Sequence, residues 1–133
     1  MGKPAAKAND QVSSVDTHIV MVPSPNGAVP TPLPHVFMGK INGGVIKSVK
    51  IGGQAAAVVG STADNSPAHL PTPPGTAFQK PPSNKATIKT GSATVKIGGK
   101  KAARAGDTAT TCGDPADAPN GKVIAAGTVL IGG

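Results

Sequence analysis

Tryptophan, tyrosine and glutamate are missing from this chain of 133 residues, and aromatic character is limited to Phe37 and Phe78. Leucine occurs three times, at Leu33, Leu70 and Leu130, and cysteine once, at Cys112. Each shortage excludes something. A chain of single-domain length with so few large side chains buries little bulk, so a metal or a partner is expected to supplement its core. One cysteine excludes a disulfide within the chain. Strong helix formers other than Ala and Lys are scarce, and Gly or Pro punctuates nearly every stretch, which excludes long helices. The lack of aromatics removes the stacking surfaces that single-stranded nucleic acid needs. No apolar run approaches the roughly 20 residues of a membrane span. The opening MGKPAAKANDQ has no apolar core of a signal peptide, so export by that route is not expected.

Glycine and proline are abundant, at 18 and 14 residues. Val, Ile and Thr fall between them in short alternating runs, the pattern of strands joined by turns. Residues 45–51, 87–91 with 93–97, and 123–126 with 128–131 read as strand pairs. The Gly43–Gly44, Gly52–Gly53 and Gly98–Gly99 pairs supply the positive φ of tight hairpin turns. Two Pro-rich stretches, 22–35 and 66–84, read as ordered surface loops crossing between hairpins. The net charge is +7, from 13 basic and 6 acidic side chains, with the basic residues spread along the chain. That spread favours ordinary solvated surface over a nucleic-acid stripe.

The chain repeats itself. VKIGGQAAA at 49–57 returns as VKIGGKKAA at 95–103, AAKAND at 5–10 matches AARAGD at 102–107, and VLIGG closes the chain at 129–133. The economical reading is all-β: a compact pseudo-threefold cone of short hairpins that bury their faces against one another.

The repeats organise the metal-ligating residues. His18, His35, His69 and Cys112 are every imidazole and every thiol in the chain. His18 trails Asp10 by eight residues, His69 trails Asp64 by five, and Cys112 trails Asp107 by five. Any one of these residues alone reads as an ordinary buried or hydrogen-bonded side chain. As a set they complete a three-His, one-Cys tetrahedron that suits Zn²⁺, with Fe²⁺ or Cu as competitors. Four protein ligands leave no place for water, so the site is expected to be structural and not catalytic. The aspartates at 10, 16, 64, 107, 114 and 117 read as turn residues, with Asp16 or Asp114 as candidates to orient an imidazole.

With those residues in hand, the chain resembles the PAAR-repeat family, the spike-tip proteins of contractile injection machines. The resemblance rests on Pro4-Ala5-Ala6-Lys7, on Ala102-Ala103-Arg104 with Gly106-Asp107, on the repeated V-K-I-G-G strands and on the His/Cys set; in the middle copy Ala57 stands at the motif's final position. It implies a cone with a structural zinc site near its point and a base that caps a trimeric β-helical spike of the valine-glycine-repeat type, one chain per trimer. It further implies a single domain over 1–133 with no fused effector, a separate effector as a further partner, and transient contact with a target membrane. Such a protein is made in the bacterial cytoplasm and delivered outside the cell or into a target cell by a type VI or phage-tail-like machine. A small zinc metalloenzyme and a basic surface-binding module are the alternatives.

Overall fold

The computed structural model describes residues 2–133. The fold is all-β, and no helix occurs among the described residues. Its centre is a closed antiparallel barrel. Six strands form the ring: β2 (Gln11–Val22), β3 (Val29–Gly43), β6 (Thr62–Asn65), β8 (Lys85–Ile88), β11 (Thr108–Thr111) and β12 (Ala118–Ile124). Each pairs with the next in the spatial order β12-β11-β8-β6-β3-β2, and β2 closes the ring by pairing with β12. A short strand, β7 (Ala77–Phe78), adds to the far part of β2.

Three two-stranded units stand before the barrel. They are β4 (Ile46–Ile51) with β5 (Gln54–Ala56), β9 (Lys96–Ile97) with β10 (Lys100–Lys101), and β13 (Leu130–Ile131) with β1 (Lys3–Pro4). Gly52 and Gly53 both take positive φ, as do Gly98 and Gly99, the requirement of a two-residue hairpin turn. In the third unit the two strands come from opposite ends of the chain and pair in the same register.

The pseudo-threefold relation has a backbone signature. Ala6 N donates to Ala103 O, Ala103 N to Ala57 O, and Ala57 N to Ala6 O, at 2.9–3.0 Å. These three bonds close a cycle around fully buried alanines. Each strand then enters a turn whose fourth residue caps the first: Asp10 accepts from Lys7 N, Ser61 from Val58 N and Asp107 from Arg104 N. The third positions, Asn9, Gly60 and Gly106, all have positive φ. The middle copy therefore differs from the sequence reading by one position. Val58, not Ala57, is the counterpart of Lys7 and Arg104, and Ser61, not Asp64, is the counterpart of Asp10 and Asp107. Measured from the true counterparts, His18 and His69 both lie eight residues on.

The small side chains are the core and not a deficit in it. Among the described residues half of the buried apolar side chains are alanines, 10 of 20, so the strands meet at the axis with no room for branching. In the barrel Phe37, Ile41, Ile88, Val12 and Val123 pack together, and at the hairpin units Ile51 and Ile131 pack with Ala5, Ala56 and Ala102. Ala57→Leu is expected to lower stability by about 1–3 kcal/mol through overpacking at the axis, read as a shifted urea midpoint.

One Pro-rich stretch is not a loop. Residues 29–35 form the first half of β3, paired with β2 through Pro30↔Met21, Pro32↔Ile19 and Pro34↔Thr17. Prolines two residues apart direct their missing N–H groups toward the same edge of a strand. Here β3 has its other pairing, to β6, only from Gly39 onward, so that edge carries no ladder to break. The second stretch, 66–84, is mostly loop around β7.

Candidate metal centre

Strand β2 alternates strictly, with Val12, Ser14, Asp16, His18 and Val20 buried. The period of two puts Ser14, Asp16 and His18 on one inward row. Directly across the ladder, Asp16 faces His35 and Ser14 faces Phe37. β11 delivers Thr111 and, one residue past its end, Cys112. His69 arrives on the loop after β6, where Asn84 Oδ1 accepts its backbone N–H at 2.8 Å.

All four residues expected from the sequence meet here. The imidazoles of His18, His35 and His69 lie with centroids 4.9–5.6 Å apart. Both phenylalanines of the chain pack on them, Phe37 against His69 and Phe78 against His18 and His35. Cys112 Sγ is 3.5 Å from His18 Nε2.

Asp16 is the residue whose role differs from the sequence reading. It is no turn residue but a completely buried member of β2. One carboxylate oxygen accepts from Ser14 Oγ at 2.9 Å and Thr111 Oγ1 at 2.5 Å. The other meets His69 Nε2 at 3.0 Å and the Cys112 thiol at 3.4 Å. Potential ligand atoms of Asp16, His18, His69 and Cys112 all lie within 4.8 Å of one another. His35 stands beside this group with both nitrogens engaged: Nδ1 lies 2.9 Å from Leu33 O, and Nε2 accepts from Thr72 N at 3.1 Å. Asp64 is likewise in a strand, β6, and its exposed carboxylate pairs with Lys85.

The donor set fits a metal ion. His18 Nδ1 is the one buried side-chain polar atom among the described residues without a hydrogen-bond partner. Its nearest counter-charge is Asp114 Oδ2 at 3.6 Å, held in turn by the backbone N–H of Ile19. His18 Nε2 is directed at Cys112 in the cluster, and the Asp114 carboxylate stands behind the ring, just beyond hydrogen-bond reach of Nδ1. A cavity of about 200 Å³ lined by His18, Lys80, Cys112 and Asp114 gives the cluster a route to solvent. Two imidazoles, a thiol and a carboxylate in one buried group match the ligand preferences of zinc-class ions.

Electrostatics agree with burial. His18 and His35 have their pKa lowered, chiefly by burial and secondarily, for His18, by His69. The Cys112 thiol is pushed up to about 11 by burial and by the Asp16 carboxylate. In metal-free protein the signs follow. The unfolded chain takes up protons on His18 and His35 below about pH 6.5 more readily than the folded chain does, so stability falls as pH drops through that value. Above about pH 9 the unfolded thiol ionises before the folded one, so stability falls again toward pH 11. The metal-free protein is therefore expected to melt highest between these limits, checked by thermal unfolding in chelator across pH.

The PAAR motif family model matches residues 33–116, more than half of the chain. The chain belongs to the PAAR motif family. Comparison with curated proteins finds no match. The matched segment runs from the start of the His35 row through His69 and Cys112, and it holds two of the three pseudo-repeats. The first repeat, with Ala5, Ala6, Asp16 and His18, precedes it and joins the PAAR architecture through the alanine cycle. Asp16, expected from the sequence as a turn residue or an orienter of an imidazole, stands within the potential ligand group itself, and Ser14-x-Asp16-x-His18 is a same-face row once residues 11–22 are read as a strand.

Proposed function

We propose that this PAAR protein is the metal-clasped point of a contractile injection spike. The buried cluster of His18, His35, His69 and Cys112 with Asp16, at the far end of a threefold-repeated barrel, carries the reading. His18, His69 and Cys112 are three ligands of one zinc ion. His35 is the fourth, reached when its Nε2 gives up the Thr72 N–H. Asp16 then neutralises the site from behind. A second assignment, with Asp16 as fourth ligand, is favoured by its proximity to His69 and Cys112, and metal content of His35→Ala against Asp16→Ala separates the two.

Such a metal is structural. When bound, it ties together loops far apart in sequence and supplies folding energy. This chain's own residues hold it on a strand row, two phenylalanines and an Asp16 carboxylate anchored by hydroxyls, a rigid setting suited to a tip driven against a membrane. The work of the protein is mechanical, with no reaction centre required.

The opposite end presents three hairpin units related by the same pseudo-threefold axis, matching the end of a trimeric β-helical spike. Outer strands with an unpaired edge would extend the partner's sheets by β-augmentation. A separate effector, and delivery out of the producing cell, belong to the same reading; no helix among the described residues is long and apolar enough to cross a membrane. Native mass measurement of the complex with a spike trimer is expected to give one chain and one zinc per three spike chains. A 3:3 complex, or turnover of a hydrolytic substrate at an open metal position, would overturn it.

A further inference from the structure

The positive charge of this protein is concentrated at one end. Lys3, Lys47, Lys50, Lys96, Lys100 and Lys101 lie on the strands of the three hairpin units, and all six are exposed. None of them makes an ion pair or a side-chain hydrogen bond among the described residues. The barrel behaves differently. It and its loops hold the other seven cations and all six aspartates, and there Lys7, Lys80, Lys85 and Arg104 each pair with an aspartate. The hairpin end therefore carries +6 and the rest 7 − 6 = +1, which together make the +7 of the chain.

The lysines follow the pseudo-symmetry. The strand registers pair Lys3 with Ile131, Gln54 with Ile51 and Lys100 with Ile97. Lys3, Gln54 and Lys100 are thus counterparts, as are Leu130, Lys50 and Lys96. Each of these rings is cationic at two of its three positions. Exposed Val49, Val129 and Leu130 stand among them. Six like charges grouped without counter-ions raise the potential of that end and disfavour its own close approach to cations.

Resting on the spike-tip reading, we infer that the hairpin end docks on an acidic protein surface: the end of the partner trimer presents carboxylates in a threefold ring around an apolar centre. The lysines steer the approach and select the partner, while strand edges and the three apolar side chains form the contact. A protein end fits better than lipid or nucleic acid. The cations alternate with apolar residues in a threefold pattern, and both aromatic residues, which would serve a membrane interface or stack on bases, are at the metal cluster instead.

Binding of the full, metal-loaded chain to the trimeric spike protein encoded in the same genome tests this. Affinity is expected to fall about tenfold or more between about 50 mM and about 500 mM NaCl. The variant Lys50→Gln/Lys96→Gln/Lys100→Gln/Lys101→Gln is expected to bind about tenfold more weakly at low salt, with melting temperature and metal content unchanged. The matching Lys→Arg variant keeps the charge and is expected to bind as the parent does. Salt-insensitive binding, or equal affinity of the Gln variant, overturns the acidic-partner inference and leaves the spike reading standing. No binding at any salt removes both. Lysine-dependent binding to phosphatidylserine vesicles or duplex DNA that is tighter than binding to the trimer assigns the surface to lipid or nucleic acid instead.

Discussion

Cys112→Ser and His18→Ala are each expected to reduce bound zinc from about one per chain to near none and to lower the melting temperature by about 10–20 °C. The size follows from where the ligands sit. Structural zinc contributes on the order of 10 kcal/mol in small domains. Part of that is retained here, because the barrel closes through backbone pairing and has an apolar core of its own. A loss of about 4 kcal/mol is the expectation for a 133-residue chain, and it converts to the stated shift. His18→Ala adds a cavity between Phe78 and the other two imidazoles, so it is expected to be the more damaging of the pair. Metal content by elemental analysis and melting by circular dichroism check this. Unchanged melting in both variants, with zinc retained, would show that the cluster is not the clasp.

Asp107→Ala is expected to cost about 3–5 kcal/mol, against about 1 kcal/mol for the pseudo-equivalent Asp10→Ala. The two aspartates cap the same turn in two repeats, but their surroundings differ. Asp107 accepts from the Arg104 backbone N–H at 2.7 Å and from the guanidinium through Nε and Nη2, and both residues are buried. Removing Asp107 leaves an uncompensated buried guanidinium as well as an uncapped turn. Lys7 keeps water and also donates to Ala126 O, so its charge is not stranded when Asp10 is lost. In the middle repeat Val58 and Ser61 carry out the turn with no charge at all. Urea midpoints of the two variants give the comparison. Equal costs would mean that the cap, and not the buried pair, supplies the stability.

Much of the architecture was legible because it is local and repeated. The V-K-I-G-G hairpins identify themselves by glycine pairs, whose positive φ no other residue adopts as readily. The His and Cys residues identify themselves by rarity. The 29–35 stretch was harder to read, since proline in a strand is allowed or forbidden by which edge is paired, and that depends on β6, distant in sequence. The offset in the middle repeat was hidden for a similar reason. Three successive alanines, Ala55 to Ala57, allow two alignments, and only the alanine hydrogen-bond cycle distinguishes them. Asp16 was underestimated because aspartate in a sequence signals a turn unless the strand around it is known.

The sequence by itself determined an all-β chain, its threefold repetition and the inventory of metal-binding side chains, because composition and short-range pattern decide secondary structure and available chemistry. The tertiary structure alone decided that half a core of alanine suffices. It also decided that Asp16 joins the histidines and cysteine, and that six lysines gather at the end away from them. Those are consequences of which strands close the barrel, a relation between residues up to about a hundred positions apart that no local pattern encodes.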